Sequence, residues 1–150
     1  MADIKSPESR SQNMAKIRSK DTSPEVWFRK ALFSLGYRYR TNSKNIIGHP
    51  DIYLAKYKTA IYINGCFWHR HVGCKYSYTP KSRVEFWSRK FESNIERDKK
   101  VHSLLQQEGI KVLIVWECTI KQMRRSQQVK NTILQEVEDF LRSADTRLEL

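Results

Sequence analysis

An apolar run that ends in a cluster of thiols and imidazoles constrains this chain more than any other stretch. Ile61-Tyr62-Ile63-Asn64-Gly65 leads directly into Cys66-Phe67-Trp68-His69-Arg70-His71-Val72-Gly73-Cys74. Cys66, His71 and Cys74 carry the C-x4-H-x2-C spacing of three ligands on one tight loop, and zinc accepts thiolate and imidazole in a tetrahedral shell. Cys118, the third cysteine, is the candidate fourth ligand. An odd number of cysteines argues for metal rather than disulfides wherever thiols stay reduced.

That reduced setting agrees with the rest of the chain. No apolar run approaches the ~20 residues that span a bilayer, and the polar N-terminus lacks the apolar core of a secretory signal. The expected location is the cytoplasm. At 150 residues and 39% apolar content the chain suits one domain with a real core. Twenty-eight Lys and Arg against 16 Asp and Glu leave a formal charge of +12. Such an excess favours a polyanion through attraction and counterion release, and nucleic acid is the leading candidate.

In chain order, residues 1–20 are polar and carry Lys5, Arg10, Lys16, Arg18 and Lys20. They are either a frayed terminus or a basic arm, with a short helix around Ser9 to Ser19, that folds against DNA. Ser23-Pro24-Glu25 starts a helix, with Ser23 as N-cap and Glu25 beside the positive dipole end. It runs to about Leu35 with Val26, Trp27, Ala31, Leu32 and Leu35 inward, and Gly36 stops it. Tyr37 to Arg40 alternates as a half-exposed strand does. Pro50 to Leu54 and Thr59 to Ile63, joined by Lys56-Tyr57-Lys58, form an antiparallel hairpin, which brings Asp51 close to Ile63. A second helical region opens at Thr79-Pro80 and ends at Gly109, with Lys90, Asn94 and Asp98 on one face. Ile110 to Trp116 suits a central strand covered on both sides, Cys118 lies just past its end, and Val129 to Leu141 is a last amphipathic helix. This order describes an α/β sandwich with a mixed sheet.

Several of these residues admit two roles. Asp51 is either a turn residue after Gly48-His49-Pro50 or a ligand for Mg²⁺, a hard cation that favours carboxylate oxygen. His69 is either a solvent-facing loop histidine or a general base near neutral pH, since zinc does not need it. Phe67 and Trp68 are either a satellite core under the loop or rings that stack between base pairs.

Pro50-Asp51, Gly65-Cys66-Phe67-Trp68-His69, Glu85-Phe86-Trp87, Asn94-Ile95-Glu96-Arg97-Asp98 and Val112-Leu113-Ile114-Val115-Trp116-Glu117-Cys118 together resemble the very short patch repair (Vsr) endonuclease family. The resemblance covers roughly residues 9 to 142, in the same order and at similar spacing. It implies a restriction-endonuclease-like (PD-(D/E)xK-type) α/β core flanked by helices, with a structural Zn²⁺ site and a Mg²⁺-dependent nick beside the thymine of a T:G mismatch, the lesion left when 5-methylcytosine deaminates. Residues 1–20 would be a DNA-contacting arm, 21–142 the endonuclease domain and 143–150 a tail.

The same resemblance assigns Mg²⁺ to Asp51 and the backbone carbonyl of Ile63, base catalysis to His69, and to Glu25 a role through metal-bound water. Phe67, Trp68 and Trp87 would wedge into DNA from the major groove and Met14 from the opposite groove. Lys90 and Asn94 would read the wobble pair, with Asp98 on the same DNA-contacting face. It implies a bacterial, nucleoid-associated monomer that works beside a cytosine-5 methyltransferase and mismatch-repair proteins. Two positions depart from the family pattern. Asn64 stands where better-known members often carry histidine, so a titratable role there is in doubt, and one extra residue separates His71 from Cys74. No lysine occupies the second hairpin strand, where nucleases of this type usually place one. The competing expectations are a homing or restriction nuclease of the same fold and a catalytically silent zinc-dependent DNA-binding module. Retention of Asp51, His69 and Glu25 argues against silence.

Overall fold

The computed structural model describes residues 21–150, so the basic arm and Met14 lie outside the described residues. The elements are α1 (Ser23–Ser34), β1 (Arg40–Thr41), β2 (Ile52–Leu54), β3 (Thr59–Asn64), α2 (Val84–Gln107), β4 (Lys111–Trp116), α3 (Glu117–Arg125), α4 (Gln127–Arg142) and β5 (Arg147–Glu149). The five strands form one mixed sheet in the order β1-β2-β3-β4-β5. β1, β2 and β3 pair antiparallel, whereas β3, β4 and β5 run parallel.

The expected hairpin is present, in register Ile52↔Ile61 and Leu54↔Thr59. Its connection is a short 3-10 turn, Ala55–Tyr57, closed by Lys58 in the left-handed region at φ 47°. Both faces of the sheet are covered, which is why β4 reads as an unbroken apolar run. Alternation along it divides the core. Leu113 and Val115 pack with Phe28, Leu32, Ile61, Met123 and Val137 on the side of α1, α3 and α4. Val112, Ile114 and Trp116 pack with Ala60, Cys66 and Leu105 on the side of α2.

Four expectations are corrected. Thr22, not Ser23, is the N-cap of α1, and Ser23 instead accepts from Arg124 at 3.0 Å. The buried stripe of α1 is Glu25, Phe28, Ala31 and Leu32, whereas Leu35 is exposed. Glu25 hid that stripe, because a carboxylate does not read as an inward position. The second long helix starts at Val84 rather than near Pro80. Arg70 explains the delay: its guanidinium donates to the carbonyls of Ser77 and Tyr78 at 2.9 Å and reaches Thr79 Oγ1, so these residues are held as loop. Finally, the segment after 142 is not a tail. It returns to the sheet as β5, with Leu150 N donating to Ile114 O at 2.8 Å and Trp116 Nε1 to Glu149 Oε1 at 2.7 Å. Lys111 Nζ caps the chain end of α4 by donating to the carbonyls of Phe140 and Ser143.

Candidate active site and metal centre

Where the parallel strands β3 and β4 end, the loop after β3 meets the start of α3. The loop after β3 supplies Cys66, His71 and Cys74, and Cys118 sits in the first turn of α3 directly after β4. The ligand atoms of these four residues all lie within 4.8 Å of one another. Tetrahedral ligands at zinc–sulfur distances are separated by roughly 3.8 Å, so little adjustment is needed. The loop is closed by His71 N donating to Cys66 O at 3.0 Å, and the His71 ring stacks on Trp116 at 4.2 Å. Burial pushes the Cys66 thiol up to about 12, and a bound cation reverses that preference by taking the thiolate. The donor set therefore fits zinc, with all four positions filled by protein.

Beside this centre runs a groove of about 800 Å³ lined by the first turn of α1, the Gly48–Asp51 segment, the end of β3 and one face of α2. Asp51, just before β2, accepts from the Ile63 amide at 2.7 Å. The hairpin thus places its carboxylate at the end of β3, as expected. The contact runs through the Ile63 N–H, while the expected role of the residue used its carbonyl. Burial, and next the charge of Glu25, push the Asp51 carboxyl up to about 7, with the Ile63 amide and His69 acting against them. Glu25 is only 3% exposed, accepts from the Asp21 amide at 2.9 Å, and is itself raised chiefly by burial. Asn64 and Glu117 line the same groove.

His69 Nδ1 lies 2.6 Å from Asp98 Oδ2. Asp98, expected among the DNA-contacting residues, faces the imidazole across the groove. A carboxylate on Nδ1 fixes that nitrogen as the N–H and leaves Nε2 as acceptor, the arrangement a base needs. Its helical neighbours divide: Lys90 is exposed, whereas Asn94 Nδ2 donates to Trp68 O at 3.0 Å and ties the loop to α2.

The aromatic residues form a satellite cluster in which Phe67 meets Trp68, Tyr78, Trp87 and Phe91 at ring distances of 5.0–5.5 Å. Arg70 lies over Phe91 at 3.9 Å. Phe67, Trp68 and Trp87 remain half-buried, and Phe86 and Tyr78 are exposed beside them. The rings thus form a satellite core under the loop and still present a face to solvent.

Sequence reasoning passed over Tyr62, His102 and Glu117, which also line the groove. For His102 a signal existed: it continues the four-residue spacing of Lys90, Asn94 and Asp98 along α2.

Comparison with known proteins follows the same lines. The family model described as DNA mismatch endonuclease Vsr matches residues 2–75. The chain is 45% identical over 139 residues to a protein of Neisseria meningitidis named Type II nicking enzyme V.NmeAIP, covering 93% of this chain and 99% of that one. It is 42% identical to Type II nicking enzyme V.XorIIP of Xanthomonas oryzae, over 82% of this chain and 90% of that one. It is 39% identical to the DNA mismatch endonuclease Vsr of Escherichia coli, over 81% of this chain and 77% of that one.

Proposed function

Because the chain belongs to the Vsr DNA mismatch endonuclease family, we propose that it is a Mg²⁺-dependent, strand-specific endonuclease that nicks beside the thymine of a T:G mismatch. The observation that carries this is one groove holding the Asp51 carboxylate and the oriented His69–Asp98 pair, bordered by a half-exposed aromatic cluster. The mixed sheet, with Asp51 at the start of its second strand, suits a restriction-endonuclease-like core. Hydrolysis requires an activated water, charge stabilisation at phosphorus and a proton for the leaving oxygen.

His69 Nε2 takes the proton of the attacking water, and Asp98 stabilises the imidazolium that results. The water oxygen bonds to phosphorus as one bridging P–O bond breaks, and the oxygen released takes a proton from solvent. Asp51 and the Ile63 carbonyl would hold Mg²⁺, with Glu25 acting at longer range. When bound, that ion supplies charge neutralisation at the phosphate. The donor set fits it, because a buried carboxyl whose ionisation is disfavoured by burial and by a neighbouring carboxylate gains most from a hard cation.

A pH dependence follows. Ion binding requires ionised Asp51, so apparent Mg²⁺ affinity should weaken about tenfold for each pH unit below 7 and level off above it. The Mg²⁺-free protein, with its zinc site filled, should show the opposite trend. With a folded value near 7 against an ordinary 3.8, the folded state holds a proton that the unfolded chain releases, so this contribution to stability falls as pH rises through that window. Mg²⁺ titrations, and melts of zinc-loaded protein without Mg²⁺, at pH 5.5 and 8 check both signs.

Recognition divides between rings and cation. Inserting rings between base pairs costs least where pairing is already disturbed. Phe67→Ala combined with Trp68→Ala should therefore slow nicking of every mismatched duplex. Exposed Lys90 faces the wobble acceptors, so Lys90→Ala should narrow the T:G over T:A preference by ~1–3 kcal/mol, roughly 5- to 150-fold, at fixed salt. Strand specificity is tested by labelling each strand of a T:G duplex in turn. Nicking confined to the thymine strand supports the proposal, and equal cutting of both strands contradicts it.

A further inference from the structure

Among the described residues, the hydroxyl of Tyr62 is the one enclosed side-chain polar atom without a hydrogen-bond partner. Most such groups are satisfied, and one left unpaired in a folded interior destabilises it, so it calls for a reason. Tyr62 alternates with Ile61 and Ile63 on β3 and so faces α2, where its ring meets that of His102 at 5.4 Å with the planes inclined by 53°. Gly48 closes over it. A Cβ at this position would fall 2.7 Å from Tyr62 Oη and 2.2 Å from Val101 Cγ1, and the backbone there has φ +76°, so only glycine fits. The enclosure is therefore built into the groove wall rather than being a gap in packing.

The surroundings of the phenol show what it faces. Burial raises its ionisation far above the ordinary range, and the charges of Asp51 and Asp98 add to that. It stays a neutral donor beside two carboxylates. Asp98 binds His69 through Oδ2 alone, and among the described residues nothing donates to its Oδ1. A residue with an unpaired donor and one with an unused acceptor thus line the same groove.

We propose that Tyr62 is a positioning residue for the reaction, its hydroxyl donating to Asp98 Oδ1 as His69 becomes charged and thereby holding the carboxylate in line with the imidazole Nδ1. The phenol keeps its proton throughout, and no covalent step involves it. His102 packs against the ring from α2. The inference rests on the reading of His69 as base, and it deepens that reading by giving Asp98 a second support. It also predicts an opposition between stability and turnover, since the unpaired hydroxyl weakens the resting fold and serves only during catalysis.

The test is a double-mutant cycle of Tyr62→Phe and His69→Ala, read as single-turnover nicking of a T:G duplex with Mg²⁺, together with melting curves. Tyr62→Phe should lower the rate of the chemical step about tenfold, leave the concentration for half-saturation by DNA unchanged, and leave the melting temperature equal or higher. In the His69→Ala background the same substitution should change nothing further. Wild-type turnover in Tyr62→Phe overturns the proposal, and so does an equal loss in both backgrounds, which would mark a role unrelated to the base. His69→Ala turning over at the wild-type rate is a different failure: it removes the base assignment itself, and this proposal with it.

Discussion

Cys118→Ala should cost the protein its fold rather than slow a folded enzyme. Three of the four ligands lie on one loop, and Cys118 alone comes from a distant part of the chain, at the start of α3 after β4. A metal ion held by these four residues would join the active-site loop to the strand that centres the core. Structural zinc in small peptides contributes on the order of 10–16 kcal/mol of apparent binding energy. A domain of this size is stable by only about 5–15 kcal/mol, so the metal term is as large as the whole. Cys66 is buried in the cluster beneath α2, with Ala60, Val112 and Trp116. Without the ion, three thiols and an imidazole would face one another there with little else to satisfy them. Metal content and thermal melting before and after chelation check this. Less than about half a zinc per chain in protein that keeps its fold would show that the four residues hold no structural ion.

Asp51→Ala should abolish Mg²⁺-dependent nicking, and His69→Ala should lower its rate by on the order of 10²–10⁴. Both variants should still bind DNA, because affinity comes mainly from cations such as those along the exposed face of α2, Arg89, Lys90, Arg97, Lys99 and Lys100. The two should differ in stability. Removing Asp51 relieves a carboxyl that burial and Glu25 hold in an unfavourable state, so without Mg²⁺ the zinc-loaded Asp51→Ala protein should melt at the same temperature or higher. His69 is partly exposed and bonded to Asp98, and its loss leaves that carboxylate without its partner. Near wild-type turnover of His69→Ala at saturating Mg²⁺ would transfer the role of base to another group.

The hairpin, the central strand and the Cys/His cluster were legible in the sequence because local chemistry determines each of them. Thr59 to Ile63 and Lys111 to Trp116 are β-rich and apolar on both faces, and the cysteine spacing restricts the loop. The position of Asp51 followed from antiparallel register alone. β5 could not be found that way. Arg147-Leu148-Glu149 has one apolar residue and becomes a strand only because β4 offers it a free edge. The start of α2 was misplaced for a similar reason, as a single distant side chain, Arg70, holds the preceding residues out of the helix. The pairing of His69 with Asp98, and the enclosure of Tyr62 by Gly48, depend on how α2 crosses the end of the sheet. Spacing within α2 shows which residues share a face, but not which residue of another element that face meets.

The central claim is selectivity for one mispair, and the most direct test is the rate of nicking on two duplexes identical except for a single base pair, T:G in one and T:A in the other. Both would be incubated with Mg²⁺ at the same salt concentration. The account predicts nicking of the T:G duplex on the thymine strand, none without Mg²⁺, and little or none of the T:A duplex. Equal rates on both duplexes, or nicking of neither by folded, zinc-loaded protein, would contradict it.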